Sequence, residues 1–304
     1  MKHTLKITIA LVLFFFMAQF AGLLIVNHYI DHKKSFEAKE TVMKPLPYGI
    51  ERPEVKNQST SFIYITIAIL IGTVLVLLLV KFNKPMIWKL WFFATVWLTL
   101  SIALAAFLNS VLAAITALAL AILKLFKPDL IIQNISEIFM YGGLAAIFVP
   151  MLNLFAAFML LIVISAYDYL SVYKTKHMIK LAKFQSKSKV FAGLLIPYNK
   201  GKISVDEAVK PGLKKIPAKI SSQRVAVLGG GDIGFTLIFA GVVMKGLMLH
   251  ESILSGFLKA LIIPVFASFA LLFLLVKGQE NKFYPAMPIL SAGCFLGYLV
   301  VLMI

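Results

Sequence analysis

Apolar residues fill this chain in long unbroken blocks, separated by short polar breaks and two longer polar stretches. Blocks of this kind cover residues 5–27, 61–81, 86–108, 110–126, 134–150, 152–174, 224–246, 253–276 and 284–303. About eighteen to twenty apolar residues, rising 1.5 Å each, cross a hydrocarbon layer, so the pattern predicts nine transmembrane helices. Asn109-Ser110, Lys127-Pro128-Asp129 and the segment from Pro150 to Asn153 mark the short breaks. The stretch 28–60 holds Pro45, Pro47 and Pro53 and shows no useful periodicity. The stretch 175–223 divides the helices into six and three, and its Pro197, Pro211, Pro217, Gly193, Gly201 and Gly212 argue against one continuous helix. Within it, Val190 to Ile196 is apolar enough to lie on the membrane surface. The expected architecture is therefore an all-α polytopic membrane protein in three parts: helices within 1–174, a loop over 175–223, and helices within 224–304. The apolar run 7–26 near the N-terminus is long enough to span and is followed by no small-x-small cleavage site, so it reads as an uncleaved signal anchor.

Composition agrees with that picture. The chain is 61% hydrophobic and 14% charged, where soluble domains carry roughly a quarter charged residues. The net charge of +17 is unevenly spread: thirteen of the thirty Lys and Arg fall between Lys174 and Arg224, opposed there only by Asp206 and Glu207. Beside membrane spans, such an excess fits a cytoplasmic loop facing anionic lipid, and no nucleic-acid partner is implied. Placing the N-terminus in the cytoplasm puts 22 basic residues inside and eight outside, which leaves the C-terminus outside after nine spans. Cys294 is the single cysteine, so no intrachain disulfide can form. The five histidines fall in loops or at membrane edges, with no H-E-x-x-H motif, and no cofactor or metal is implied. Glu137 and Lys259 fall near predicted helix ends, where snorkelling accounts for them.

Two acidic residues resist that explanation. Asp168 lies in LLIVISAYDYLSVYK, inside the sixth predicted span, and Asp232 lies in RVAVLGGGDIGFTLIFAGVV, inside the seventh. An ionisable side chain there costs about 2.5–3.5 kcal/mol even on the lenient insertion scale, so each needs a reason. Asp168 precedes Lys174 by six residues, roughly 9 Å, and Asp232 follows Arg224 by eight, roughly 12 Å. Adjacent antiparallel helices thus carry two carboxyls at nearly one depth. Two carboxyls close together cannot both ionise readily, so the pair holds one proton. One member can then take a proton from an attacking water while the other donates to a peptide carbonyl oxygen.

Gly229-Gly230-Gly231-Asp232-Ile233-Gly234 also satisfies G-x-G-x-x-G, behind the strand-like Val225 to Leu228. The dinucleotide reading fails on context, because nothing nearby supplies a parallel sheet. The glycines instead let a neighbouring backbone approach Asp232. A third element, Tyr284-Pro285-Ala286-Met287-Pro288, opens the ninth predicted span. Two prolines there leave a segment poor in hydrogen-bond donors and irregular, suited to accommodating extended chain.

Tyr167-Asp168, Gly229-Gly230-Gly231-Asp232 and Pro285-Ala286-Met287 together resemble the YD, GxGD and PAL motifs of the presenilin and signal peptide peptidase family, in order, spacing and span. Met287 stands where the family motif has Leu, a volume-conserving change. Short loops resemble archaeal members, which would place the chain in a plasma membrane. The resemblance implies an intramembrane aspartyl endopeptidase with Asp168 and Asp232 catalytic. It also implies that Tyr167, Gly229, Gly230, Gly231, Pro285, Ala286 and Met287 position a substrate. That substrate would be a transmembrane helix of another protein, unwound and cut within the lipid bilayer. A prepilin-peptidase-like enzyme would share GxGD but not the PAL element. A proton- or ion-coupled transporter using the Asp pair as a relay is the alternative from another class, and it would favour internal repeats, which the sequence does not display.

Overall fold

The structure, a computed structural model, describes residues 4–55, 57–127, 129–174, 190–197, 225–278 and 284–304. Most of the basic stretch 175–223 lies outside these residues. Eleven helices and one small sheet are described. They are α1 (Leu5–Tyr29), α2 (His32–Ala38), α3 (Ser61–Lys81), α4 (Pro85–Leu104), α5 (Ser110–Phe126), α6 (Leu130–Phe148) and α7 (Leu154–Tyr173). After these come β1 (Gly193–Pro197), β2 (Val225–Gly229), α8 (Gly230–Leu247), α9 (Ile253–Ala260), α10 (Ile262–Lys277) and α11 (Met287–Met303). Seven spans are long and apolar enough to cross a membrane, with α9 and α10 counted as one; α5 and α11 are apolar but shorter, at 17 residues each. The chain is a multi-pass integral membrane protein.

Short polar breaks in the sequence are where helices start and stop. Asn109 and Asn153 are N-caps: their side chains accept from the Leu112 and Ala156 amides at 2.9 and 2.8 Å. Pro150 has no amide to offer the Ala146 carbonyl, and Arg52 donates to that oxygen instead, at 3.2 Å. The buried Lys245 ammonium satisfies the carbonyls of Val149 and Leu152 beyond the break, at 3.0 and 2.6 Å. Pro264 acts likewise on Ala260, and α9 and α10 part at Leu261.

At the centre stand α1, α6 and α8. Leu11, Phe15 and Leu23 of α1 and Ile233, Leu237 and Ala240 of α8 are fully buried, so the predicted anchor is a core member of the bundle. In contrast, α3 buries only Ser61 and Ile65. The 28–60 stretch, without periodicity in the sequence, folds across the bundle end. Its Tyr29 hydroxyl reaches the Ile102 carbonyl at 2.7 Å, and Arg52 stacks over the Tyr29 ring.

Two expectations need correction. The apolar block 224–246 is not one helix: Val225–Gly229 is a strand, and the helix begins at Gly230. Its partner is Gly193–Pro197, paired antiparallel with Gly193 opposite Gly229 and Pro197 opposite Val225. Residues 190 and 194–196 are therefore buried inside the protein rather than spread on the membrane surface. The strand-then-helix pattern of the glycine motif is real, but its sheet has two antiparallel strands, which a dinucleotide fold could not use. Second, α6 begins at Leu130, four residues before the predicted start, so Glu137 lies two turns inside and is fully buried. Snorkelling does not apply to it. Lys259 pairs with Glu251 at 2.7 Å beside the turn between α8 and α9.

Candidate active site

Three helices build the site: α7, α8 and α11. Phe158 of α7, Phe239 of α8 and Phe295 and Tyr298 of α11 form one aromatic cluster, with ring centroids 4.9–6.3 Å apart. From that cluster, Asp168 lies ten residues along α7, roughly 15 Å. Asp232 lies seven residues back along α8, roughly 11 Å, and Met287 eight residues back along α11, roughly 12 Å. All three motifs therefore lie towards one end of one three-helix unit. The depth match read from the sequence holds although α8 starts later than expected.

Asp168 is buried, near the end of α7. Its Oδ2 accepts from the Met287 amide at 3.1 Å, and the Ala286 amide bonds the same carboxyl. Between Pro285 and Pro288, neither of which has an amide hydrogen, these are the only two backbone donors. Both are turned onto Asp168. The carboxyl thus covers the exposed amides at the start of α11, where the partial positive charge of a helix N-terminus favours an anion. One turn back, the Ser165 and Ser291 hydroxyls meet at 2.8 Å and fix the register of α7 against α11.

Asp232 sits in the first turn of α8 and is half-buried. Its carboxyl folds back beside Gly229: a methyl group there would lie 3.2 Å from Oδ2. Its backbone carbonyl accepts from Thr236 at 2.7 Å, and Gln19 of α1 binds the Thr236 hydroxyl and the Ile233 carbonyl at 2.8 and 2.9 Å. The three glycines differ. Gly230 packs on the Tyr141 hydroxyl so closely that a methyl group would lie 2.0 Å from it. Gly231 is exposed, and a methyl group there would meet only Phe235, at 3.7 Å.

Tyr167 points elsewhere: its hydroxyl meets Thr73 of α3 at 3.1 Å. Pro285 and Met287 are buried beside Asp168, with Ala286 half-buried. Among the described residues, no group of three or more His, Cys, Asp or Glu gathers as a metal cluster would.

The sequence reading missed a buried polar chain behind Asp232. Lys124 pairs with Glu137, which also accepts from the Tyr141 hydroxyl and, at 2.9 Å, from Gln133. Gln133 further donates to the carbonyls of Phe191 and Gly193 at 3.1 and 3.0 Å. Asn134 takes the Leu195 amide and gives to its carbonyl, at 2.9 and 2.8 Å. The signal was present: Gln133, Asn134 and Glu137 interrupt apolar sequence at helical spacing, and Lys124 does so in the helix before.

Comparisons with known proteins converge. A family model described as signal-peptide peptidase, presenilin aspartyl protease matches residues 45–304. Two solved structures of a presenilin family intramembrane aspartate protease, in space groups C222 and P2, share the fold with TM-scores of 0.59 and 0.57. They are 20% and 19% identical to this chain; the matches cover 97% of it and 98% and 96% of theirs. No curated protein matches the chain.

Proposed function

The chain belongs to the signal-peptide peptidase and presenilin aspartyl protease family, and on that premise we propose that Asp168 and Asp232 are its catalytic carboxyls. The protein is an intramembrane aspartyl protease that hydrolyses peptide bonds within transmembrane segments of other membrane proteins. The alternative of a coupled transporter has no support from either comparison.

One observation carries the assignment: two carboxyls from antiparallel neighbours lie at the same end of a three-helix unit, Asp168 on the first amides of α11 and Asp232 in the first turn of α8. The pair shares one proton. Its ionised member takes a proton from water as the water attacks the scissile carbonyl, and its protonated member donates to the carbonyl oxygen. The resulting tetrahedral diol collapses as the amine leaves with a proton from the pair.

A helix cannot present its carbonyls to attack without unwinding, and an extended segment in hydrocarbon needs backbone partners. Among the described residues, β2 pairs with β1 along one edge only, and it leads directly into Asp232. An unwound substrate added to its other edge would gain those partners next to the carboxyls. Among the described residues only Phe235 comes within 4 Å of a methyl group at Gly231, which leaves that approach open. Pro285, Ala286 and Met287 flank it from α11. Tyr167 positions substrate only indirectly, through the α3–α7 contact its hydroxyl makes. The reading keeps nine spans, with α5 and α11 crossing, the N-terminus and the 175–223 loop in the cytoplasm and the C-terminus outside.

Purified full-length protein with a model transmembrane peptide tests the assignment. Asp168→Asn and Asp232→Asn should each abolish cleavage, and the double variant should be no worse, because residues acting as one unit are not additive. Each variant should stay folded, since an amide of similar shape replaces a costly carboxyl. Wild-type activity should follow a bell in pH, falling when both carboxyls are protonated and again when both ionise. Substantial cleavage by either folded variant would falsify the aspartyl pair. Reporter fusions at Lys189 and after Ile304 should report opposite sides of the membrane.

A further inference from the structure

Asp232 is held from behind by α6, through groups that neither touch substrate nor belong to any motif. Two separate connections run from α6 to the start of α8. In the first, Tyr141 places its hydroxyl in the space that a side chain at Gly230 would occupy, two residues before Asp232. It is close enough to Asp232 to interact with it electrostatically, and its ring runs on to Gly234. In the second, Gln133 and Asn134 grip the backbone from Phe191, just before β1, to Leu195 within it. Strand β1 pairs with β2, the Ala192 carbonyl accepts from the Gly230 amide at 3.3 Å, and β2 ends where α8 begins. Glu137 joins the two connections. One of its oxygens holds the Tyr141 hydroxyl, and the other holds Lys124 and Gln133.

A single acid in so buried a place is costly, and a network this dense could serve only to bind α5, α6 and the hairpin together. The arrangement contains more than that role requires. A binding network has no need to end on the residue that opens the catalytic turn, nor to have glycine there. We propose that Glu137 and Tyr141 are positioning residues for Asp232: they set where its carboxyl stands relative to Asp168. This rests on the reading of Asp232 as catalytic. The chemistry explains the need, because a misplacement of about 1 Å between reacting groups can cost roughly a hundredfold in rate.

Tyr141→Phe is the sharpest test, since it removes one oxygen, keeps the ring beside Gly230 and Gly234, and leaves Glu137 bonded to Lys124 and Gln133. The full chain, reconstituted in lipid, is assayed with a model transmembrane peptide. Its active sites are titrated with a peptide bearing a hydroxyl on a tetrahedral carbon at the cleavage position. The expected result is an unchanged KM and a kcat per titrated site about tenfold lower, the effect of roughly one well-made hydrogen bond. Glu137→Gln should lower kcat in the same way, and the double variant should lose no more than the worse single, because both act through one chain. A purely structural network would instead reduce the number of titratable sites at constant kcat, and that result overturns the proposal. So does wild-type kcat in Tyr141→Phe, a rise in KM alone, additive losses, or a Tyr141→Phe protein that does not fold. Asp232→Asn is measured in parallel. Cleavage by that variant removes the underlying assignment, whereas its inactivity beside a fully active Tyr141→Phe removes only the positioning role.

Discussion

Asp232 and Asp168 sit at the same end of the same helices, yet they are held in opposite ways. Behind Asp232 the described residues are deeply buried: α1 and α6 flank it, and a chain of buried polar groups ties it to a sheet. Among the described residues, the frame around Asp168 is more open to the surface. Tyr169, Leu170 and Tyr173 on its own helix are exposed, and α3, which Tyr167 reaches, is almost wholly exposed. Asp168 depends on the first amides of α11 and on one serine pair. A pair that must close around a water and an unwound peptide can be assembled from a fixed member and an adjustable one. On this comparison Asp232 is the fixed reference, and substitutions on its side should cost stability as well as turnover, while those on the Asp168 side should cost turnover with little loss of stability.

The largest expected effect is on the fixed side. Glu137→Leu strands the Lys124 ammonium, 4% exposed, without its carboxylate. Removing one partner of a buried pair costs about 3–5 kcal/mol. Adding Lys124→Met should recover much of that loss, because apolar groups of similar volume can replace a buried pair. Thermal unfolding in detergent reads both. A Glu137→Leu protein that melts with the wild type would dissolve the distinction between the two halves.

The glycines sharpen the comparison one step further. Gly230→Ala forces a methyl group to within 2.0 Å of the Tyr141 hydroxyl and should cost about 1–3 kcal/mol, as overpacking does. Gly231→Ala meets nothing nearer than 3.7 Å and should leave the melting temperature within the range of a surface change. If Gly231 keeps the substrate's path open, cleavage should fall in that variant all the same. Equal melting temperatures for the two variants would contradict the packing described behind Asp232.

The adjustable side was the more legible in the sequence. Asp168 and Pro285 stand out because an apolar background makes any polar or rigid residue conspicuous, and Asn109 and Asn153 marked helix starts correctly because they cap them. The fixed side was misread. The break lies at Lys127-Pro128-Asp129 and the sequence puts the helix start at 134, but Gln133 and Asn134 both lie inside α6 and spend their polarity on the backbone of β1 and the residues before it. That strand had no sequence signal of its own, since its partner begins 28 residues after it ends and the stretch between carries no period. Without a partner strand in view, the strand-like Val225 to Leu228 is absorbed into the apolar block of the helix after it. Polar groups whose partners are distant in the chain are what a single sequence hides.

Pro285→Ala returns to the adjustable side with an effect on rate rather than on stability. Alanine adds one backbone donor and frees φ in the segment that aims the Ala286 and Met287 amides at Asp168. The protein should insert and fold, with kcat lowered by about tenfold or more as that aim is lost. Single-turnover cleavage of a model transmembrane peptide separates this from slow product release. Wild-type turnover would make Pro285 an ordinary helix start.

The smallest expected effect lies one turn below Asp168, at the hydroxyl pair between α7 and α11. Ser165 and Ser291 meet at 2.8 Å, with Ser291 buried and Ser165 half-buried. Either serine changed to alanine leaves the other hydroxyl, which can turn to the carbonyl one turn back in its own helix, as serine does in helices. No donor is stranded, so the cost should be about 0.6 kcal/mol, the average for hydrogen bonds between membrane helices. Turnover should respond more than stability does, because this bond sets how far Met287 stands from Asp168 along the helix axis. The double variant Ser165→Ala/Ser291→Ala should then resemble either single one, since the second change removes nothing further. Thermal unfolding and kcat measured across that cycle decide the point. A stability loss near that of Glu137→Leu would mean that Asp168 stands in a frame as fixed as that of Asp232.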